Sequence, residues 1–315
     1  MNRRDFICDL ALLGAATQLP SAVLADTPRS AFGRDATAEQ VTAGLDLSGK
    51  TAVITGCNSG VGLETMRVLA LRGAHVIGTA RTIEKGQQAC AQIKGRATPV
   101  VLELTDFTSV VACANAIRAM NVKIDVLILN AGIMVPEWRT VNGIEQHFVV
   151  NHLGHFLLTQ RLLDRVTAAE QSRVVVVGSG NHRDGPKGGI QFDDLSGKSW
   201  NGYYAHSKLA NGLFSLELSK RLRTTRATSN CLSPGPVDTN IRRHLSKDKW
   251  PDKLITPAEG AATICYVATH PSLAHVTGEY FRYCNPAEQH EYQTDAAMAK
   301  KLWDVSTELT QKFLA

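Results

Sequence analysis

TAVITGCNSGVG, residues 51–62, is the stretch that decides the fold. Residues 51–55 have strand character and run directly into a loop with glycines at 56, 60 and 62, and a helix-compatible segment follows. Glycines at such a junction permit a tight turn, let the backbone approach a pyrophosphate and place that anion at the positive end of a helix. The stretch predicts a nucleotide-binding βαβ unit whose loop residues hold the cofactor: Gly56, Asn58, Ser59, Gly60, Val61 and Gly62.

Beyond this stretch, apolar runs of strand length alternate with segments of helix length. Strand-like runs occupy 75–79, 99–104, 124–130 and 173–177, and the segments between the earlier ones suit helices. Near-continuous apolar strands are typical of a parallel sheet that helices cover on both faces. We therefore predict an α/β fold over residues 46–315, a single-domain, Rossmann-like, doubly wound parallel sheet with helices on both faces.

The end of the second predicted strand indicates which nucleotide binds. An NAD-preferring domain usually ends this strand with an acid that bonds the ribose 2′-hydroxyl, about 20 residues beyond the glycines. Here the stretch is Gly78-Thr79-Ala80-Arg81, with a guanidinium and no carboxylate. Because a guanidinium attracts a 2′-phosphate, we predict NADP(H) as the cofactor and Arg81 as a binding residue. The alternative is that Arg81 is an ordinary surface charge.

Tyr204 and Lys208 form a YxxxK pair on one helical face, one turn apart. Hydride transfer between a nicotinamide and a carbonyl carbon leaves negative charge on oxygen, so a proton must be delivered there, or removed in the oxidative direction. A neighbouring ammonium favours the phenolate and draws the tyrosine pKa down from about 10. We predict Tyr204 as the acid/base, with Lys208 lowering its pKa, although YxxxK alone also occurs as an exposed helix pair.

The order and spacing of these elements resemble the short-chain dehydrogenase/reductase family, over about residues 46–310. The segments 142–145, 151–156, 207–211 and 277–281 look like its retinol-dehydrogenase-like subgroup. The resemblance implies that Ser179 hydrogen-bonds the reacting oxygen and that Asn151 holds a water in the proton relay to Lys208. It also implies cofactor contacts, besides those of Tyr204 and Lys208, from two further elements: Asn130, Ala131 and Gly132, then Pro234, Gly235, Val237 and Thr239.

Two positions depart from the family pattern. Glu103 stands where the family usually has an aspartate near the adenine, which leaves the adenine contact uncertain. Gly178 stands where the subgroup often has a second serine. Neither position belongs to the predicted catalytic set of Asn151, Ser179, Tyr204 and Lys208.

The N-terminus differs from the rest of the chain. Arg3 and Arg4 precede Phe6, a modestly apolar run and small residues around Ala25, which resembles a twin-arginine export signal. We expect residues 1–25 to be a cleaved signal peptide and 26–45 to be a linker or loosely docked arm. The expected location is the periplasm, or the cytoplasm if the signal is not functional, with no stable membrane span after cleavage because the apolar run is too short.

Composition and residue spacing indicate which kinds of binding partner are not expected. The net charge of +5 is mild, and no Lys/Arg cluster with interleaved aromatics is present, so we expect no nucleic acid. His147, His152 and His155 lack a completing carboxylate or cysteine, so no metal site is predicted. None of the seven cysteines forms a CxxC pair, and they are expected to be small core residues, with a disulfide open if the protein is periplasmic.

We therefore expect an NADP(H)-dependent oxidoreductase that acts on a small or lipophilic alcohol/carbonyl pair. Two variable stretches, 182–202 and 241–257, would govern substrate entry, with apolar walls from Trp200 and Trp250. His182 is either a wall of the substrate cleft or a solvated loop residue. The resemblance also implies a homo-oligomer. The alternative function is a non-catalytic nucleotide-binding sensor or scaffold of the same fold, and the predicted substrate remains unnamed because fold and site do not determine it.

Overall fold

Ten strands and nine α-helices make up the part of the chain that the computed structural model describes, residues 27–244, 251 and 253–314. The strands are β1 Thr51–Ile54, β2 His75–Ala80, β3 Ala97–Val101, β4 Val126–Leu129, β5 Thr140–Val141, β6 Ile144–Glu145, β7 Arg173–Val177, β8 Thr228–Ser233, β9 Tyr280–Arg282 and β10 Asn285–Pro286. The helices are α1 Ala38–Val41, α2 Gly60–Leu71, α3 Ile83–Cys90, α4 Phe107–Ala119, α5 Gly154–Thr167, α6 Tyr203–Arg221, α7 Pro257–Thr269, α8 Glu291–Thr294 and α9 Ala296–Thr310.

Eight strands form one sheet in the order β10-β9-β8-β7-β4-β1-β2-β3. Every neighbouring pair is parallel except β9 with β10. The order reverses between β1 and β4, and in open parallel sheets ligands bind outside the carboxyl ends of the strands at such a switch point. The predicted single-domain, doubly wound α/β fold is confirmed.

The sheet is covered on both faces because successive strand residues point to opposite sides. Ala52 and Ile54 of β1 belong to one buried cluster with residues of α2 and α7, whereas Val53 belongs to the other with residues of α4, α5 and α6. All four residues of β1 are buried, as expected of a strand between two helical layers. This double coverage leaves the ends of the strands as the open surface where a ligand can bind.

Residues 27–45, which the sequence suggested as a linker or loosely docked arm, pack on the domain. Thr37 and Gln40 form a reciprocal capping box that starts α1, and Ala38 and Val41 are buried in the cluster that contains α7 residues. The amide of Ser30 donates to the side-chain oxygen of Asn285 at 3.0 Å. This segment is therefore tied to the β10 edge. The predicted export signal lies outside the described residues.

Both edge strands of the large sheet contain a proline, Pro99 in β3 and Pro286 in β10. Proline has no amide hydrogen and is confined within sheets to edges, strand starts and bulges. Among the described residues, no helix has the length and apolar character needed to cross a bilayer.

Candidate active site

A cleft of about 800 Å³ lies at the carboxyl ends of the parallel strands. Its volume is within the range of small-molecule sites. Every residue that the sequence suggested for cofactor binding lines this cleft, including the glycine loop, Arg81, the 130–132 segment and the 234–239 segment. The structure therefore brings these residues together, and it places Ser179 with them. Asn151 is not in the cleft wall but directly beneath it.

The glycine loop is held so tightly that only glycine fits at its inner positions. Gly56 and Gly60 have φ values of 74° and 59°, in the left-handed region. A Cβ on Gly62 would collide with the carbonyl oxygen of Gly56 and lie 2.5 Å from Nδ2 of Asn130. Ser59 caps α2 without a side-chain hydrogen bond, so the first amides of α2 keep their donors for a ligand. This arrangement fits the phosphates of a dinucleotide.

Thr55 is a structural residue that the sequence analysis did not assign. Its hydroxyl oxygen accepts hydrogen bonds from the amides of Asn130 and Ala131, each at 2.9 Å, and lies 2.9 Å from Nε2 of His155. The side-chain amide of Asn130 donates to the carbonyl oxygen of Thr55 at 2.9 Å. These bonds join the ends of β1 and β4 at the switch point. The threonine of TGxxxGxG was the available signal for this role.

Arg81 follows β2 directly, is exposed and forms no ion pair with any residue that the structure describes. Glu103, which departs from the family pattern near the expected adenine position, uses its carboxylate for hydrogen bonds within its own backbone turn. One of its oxygens accepts from the amide of Thr105 at 3.0 Å and from the Thr105 hydroxyl at 2.8 Å. The nearby positive charge of Arg81 is thus left available to an anionic ligand.

Tyr204 and Lys208 lie in the first two turns of α6, which begins after Gly202 at a φ of 90°. The ammonium of Lys208 is 97% buried and donates to the carbonyl oxygen of Val177 at 2.8 Å. It lies 5.6 Å from the centre of the Tyr204 ring. Burial lowers the pKa of Lys208 to about 8, so its proton is far more easily lost than that of an exposed lysine.

The ionisation of Tyr204 differs from the expectation. Burial raises the pKa of its phenol, and the hydrogen bond from Ser179 and the charge of Arg242 offset only part of that rise. The ammonium of Lys208 donates to the carbonyl oxygen of Val177 and lies near the ring of Tyr204. That Lys208 lowers the pKa of Tyr204 stays a prediction. The phenol keeps its proton at neutral pH and is ready to donate it.

Ser179 follows β7 and faces Tyr204 across the cleft. Its hydroxyl donates to Oδ1 of Asn181 at 3.0 Å and accepts from the amide of Asn181 at 3.2 Å. Behind it, Nδ1 of His182 donates to the Ser179 carbonyl oxygen at 2.7 Å, and Nε2 of His182 accepts from the amide of His290 at 3.3 Å. His182 is only 2% exposed. It is therefore neither a cleft wall nor a solvated residue, and both expectations for it were wrong.

Asn151 is fully buried in a π-helical turn, residues 148–153, that precedes α5. Its side-chain oxygen accepts from the amide of Ile133 at 2.9 Å, and its side-chain nitrogen donates to the Ile133 carbonyl and to the Ser207 hydroxyl. The side chain is therefore fully committed to protein partners. Nδ1 of His155 donates to the Asn151 carbonyl oxygen at 3.0 Å, which leaves that oxygen one further lone pair.

A buried pair near Tyr204 was missed by the sequence analysis. The hairpin β5–β6 turns at Asn142-Gly143, both with positive φ, and delivers Glu145 to the interior. Its carboxylate accepts from Nδ1 of His147 at 2.7 Å, and Nε2 of His147 accepts from the amide of Val135 at 3.1 Å. The pair fixes the cleft loop that contains Val135.

The other two histidines of the sequence analysis have protein partners of their own. Nε2 of His152 lies 2.8 Å from the Ser306 hydroxyl, and Nε2 of His155 lies 2.9 Å from the Thr55 hydroxyl. Burial lowers the pKa of both rings, to about 3 and about 4. Within the described ranges, no group of three or more histidine, cysteine, aspartate or glutamate side chains is gathered as a metal site.

The departure at Gly178 has a steric cause. A Cβ at this position would lie 2.8 Å from the sulfur of Cys231 and 3.1 Å from the carbonyl oxygen of Leu232. Cys231 is buried beside Lys208, and burial raises the pKa of its thiol to about 12. The six cysteines among the described residues are free thiols, five of them buried. The sulfur of Cys231 thus takes the space that a side chain at 178 would need.

The chain is similar to known proteins both in sequence and in fold. The profile of the short chain dehydrogenase family matches residues 50–250. The chain is 38% identical over 305 residues to the chloroplastic short-chain dehydrogenase TIC 32 A of Brassica napus, covering 90% of this chain and 95% of that protein. It is 38% identical over 282 residues to retinol dehydrogenase 11 of Homo sapiens, covering 85% and 88% of the two chains.

Solved structures agree with these matches. An uncharacterized protein from Mycobacterium Paratuberculosis superimposes with a TM-score of 0.71 at 32% identity, covering 86% of this chain and 97% of that chain. The fold is shared with a 3-ketoacyl-(acyl-carrier-protein) reductase from Brucella melitensis complexed with NADH, at a TM-score of 0.62 and 22% identity, over 75% and 97% of the chains. With its cleft, its fold and its relatives in agreement, the chain belongs to the short chain dehydrogenase family.

Proposed function

We propose that this protein is an NADP(H)-dependent oxidoreductase that interconverts an alcohol and a carbonyl, with Tyr204 as its acid/base. One observation carries the proposal: Tyr204, Ser179 and Lys208 line the same cleft that contains the glycine loop. Hydroxyl groups from two elements thus meet at one end of a dinucleotide-sized cleft. A sensor or scaffold has no chemical need for a protonated phenol at that place.

The choice of NADP(H) is supported by the charges at the far end of the cleft. Arg81 lines that end without an ionic partner among the described residues, and Glu103 bonds within its own turn. A 2′-phosphate would supply the missing partner for the guanidinium. A carboxylate in the place of Arg81 would instead suit the two hydroxyls of an NAD ribose.

In the proposed mechanism a bound nicotinamide supplies or takes the hydride. In the reductive direction Tyr204 donates its proton to the carbonyl oxygen, and the Ser179 hydroxyl donates a hydrogen bond to the same oxygen as negative charge grows there. The raised pKa of Tyr204 keeps the proton in place until that charge develops. In the oxidative direction the same phenol must first lose its proton.

Lys208 and Asn151 are the route by which the proton on Tyr204 is replaced. Lys208 is buried one turn from Tyr204, and its pKa of about 8 allows it to pass a proton near neutral pH. The side chain of Asn151 is bonded to Ile133 and Ser207, so its backbone oxygen is the atom that would hold a relay water. Gly132 separates the two residues, because a Cβ there would lie 3.1 Å from Oδ1 of Asn151 and 3.7 Å from the ammonium of Lys208.

Steady-state assays with NADPH or NADH and a panel of small and lipophilic aldehydes and ketones test the proposal. We expect turnover with NADPH, and a fall in kcat of about 10²- to 10⁴-fold in Tyr204→Phe. Cofactor affinity should stay unchanged, since the phenylalanine keeps the ring. Turnover of Tyr204→Phe at the parental rate would exclude the acid/base role, and tight NADPH binding without turnover of any substrate would favour the sensor or scaffold.

We also retain export as a proposal for residues 1–25, with 26–45 as the connection to the domain at 46–315. It is supported by the arginine pair, the apolar run and the small residues that follow. Cell fractionation combined with N-terminal sequencing tests it, and full-length cytoplasmic protein would contradict it. Sizing the purified protein would show whether the expected homo-oligomer forms.

A further inference from the structure

The end of the cleft that contains Tyr204 and Ser179, here called the catalytic end, has an excess of positive charge that the proposed chemistry does not use. Arg242, Arg243 and Arg282 line the cleft on the same side as Tyr204, together with one acid, Asp184. None of the three arginines forms an ion pair with a residue that the structure describes. The carboxylate of Asp184 accepts a hydrogen bond from the side chain of Asn181 at 3.3 Å.

Arg242 is the best placed of these groups. It is partly buried, whereas Arg243 and Arg282 are exposed. It ends the short 3-10 helix Asn240–Arg242, and its Nε donates to the carbonyl oxygen of Val237 in a long bond of 3.4 Å. Apart from that bond, the structure gives its guanidinium no hydrogen-bond acceptor among the described residues. A guanidinium that is withdrawn from water and weakly partnered gains most from an anion.

The other two arginines are tethered and act mainly through their charge. One guanidinium nitrogen of Arg243 donates to the Asn240 carbonyl oxygen at 2.9 Å, and one of Arg282 donates to the hydroxyl of Tyr283 at 3.2 Å. Their remaining donors stay at the surface. Like charges that line one cleft add their potentials and raise the local concentration of anions.

Arg242 lies close enough to Tyr204 for its charge to affect the phenol. It lines the same cleft as Tyr204 and Ser179, and its charge helps to stabilise the ionised form of Tyr204. The expected place of the cofactor phosphates is the start of α2. An anion bound to Arg242 would therefore lie near the reacting groups.

We propose that the substrate of this site carries an anionic group, a carboxylate or a phosphate, that binds the guanidinium of Arg242 while its carbonyl or hydroxyl faces Tyr204 and Ser179. The inference rests on the proposed function and names its substrate class. Met134 and Ile241 also line the cleft and supply apolar surface for the body of such a substrate.

Matched aldehydes test this assignment. The substrates are 4-formylbenzoate, its neutral methyl ester and 4-formylphenyl phosphate, each assayed with NADPH. We expect the parent to prefer at least one anion over the ester, and Arg242→Gln to lose about 10- to 100-fold in kcat/KM for that anion, mostly through KM. Activity on the ester should change less than activity on the anion, because the ester loses only the effect of the Arg242 charge on Tyr204. Affinity for NADPH should not change, and Arg242→Lys should keep part of the preference. The two anions show whether carboxylate or phosphate is preferred.

Arg223→Gln is the control. Arg223 is exposed beyond the far end of α6, so its substitution removes one positive charge at a distance from the cleft. An equal loss on acid and ester in Arg242→Gln would overturn the inference, as would an equal effect of Arg223→Gln or a parent that does not distinguish the substrates.

Binding of unreactive ligands separates this inference from the proposed function. Titration of the NADP-loaded protein with benzoate and benzamide needs no turnover. Benzoate should bind more tightly, and Arg242→Gln should remove that advantage. If no aldehyde is reduced but the advantage of benzoate depends on Arg242, the proposed function fails and the anion site stands. If aldehydes are reduced, neither anionic aldehyde is preferred and benzoate has no such advantage, the function stands and the anion site fails.

Discussion

The two ends of the cleft are held by different kinds of atoms. At the cofactor end, backbone groups at Gly56 and Gly62 approach each other so closely that no side chain fits between them. At the catalytic end, side chains from separate elements meet: Ser179 after β7, Tyr204 on α6 and Arg242 beyond β8. A binding loop formed by backbone groups tolerates few substitutions, but its shape does not depend on the ionisation of side chains. The catalytic end depends on ionisation and should respond to pH and to single polar changes.

Among the further changes that test this contrast, the largest effect is expected from Gly62→Ala at the cofactor end. The new Cβ would collide with the Gly56 carbonyl and displace the loop, which should weaken NADPH binding by about 100-fold, roughly 3 kcal/mol. Fluorescence titration with NADPH measures it. Gly33→Ala is the control, since a Cβ there has nothing within 4 Å. Unchanged affinity in Gly62→Ala would break the contrast between the two ends.

A smaller effect should follow Arg81→Ala, the one cofactor-end change that acts through charge. Loss of a charge-assisted contact to the 2′-phosphate should weaken NADPH binding by about 30-fold, roughly 2 kcal/mol, and leave NADH unaffected. Dissociation constants for both cofactors measure the change. Lys85→Ala removes an exposed charge from the neighbouring α3 as a control. If Arg81→Ala kept the parental preference for NADPH over NADH, Arg81 would not be the residue that recognises the 2′-phosphate.

The catalytic end should show a pH dependence that an ordinary lysine would not cause. The pKa of Lys208 is lowered to about 8, so its ammonium is lost as pH rises through 8, while an exposed lysine stays charged to above 10. Because burial raises the pKa of Tyr204, the phenol does not titrate in that range. We expect carbonyl reduction to fall about fivefold between pH 8 and 9 in kcat profiles. A plateau to pH 10 would contradict this role.

The smallest effect is expected from thiol alkylation, which should spare both ends. Cys57 lies in the glycine loop and Cys231 beside Lys208, and burial raises the pKa of each thiol. Since the thiolate is the reactive form, iodoacetamide should change activity by less than about twofold. Among the cysteines that the structure describes, the partly exposed Cys90 should be labelled first, which mass spectrometry of proteolytic peptides would show. Rapid inactivation by iodoacetamide would show that Cys57 or Cys231 becomes accessible to solvent more readily than its burial indicates.

Much of the fold was predictable because the deciding contacts are local in sequence. The run 51–62 contains a strand, its turn and a helix start, so β1, the glycine loop and α2 follow from neighbouring residues. The positions of Arg81, Tyr204 and Lys208 in the cleft followed from their order along a parallel sheet. The conformations of these side chains did not, and the ammonium of Lys208 bonds to Val177, 31 residues away.

What could not be predicted depends on contacts between distant segments. His182 is buried because residues near 290 cross behind it and His290 donates to its ring, 108 residues away in the chain. The role of Arg242 emerges only when the end of β8 is brought beside the start of α6. The Asn142-Gly143 turn was a local hairpin signal, yet nothing local indicates that Glu145 then meets His147 in the interior.

Proline at both margins of the eight-stranded sheet has a consequence for how copies of the protein can meet. An open sheet margin invites a strand from another chain, and such pairing is a common beginning of aggregation. Pro99 and Pro286 each remove a backbone donor from the outermost strands, and Asn285 also receives the amide of Ser30. Growth of the sheet from one molecule into the next is hindered on both sides.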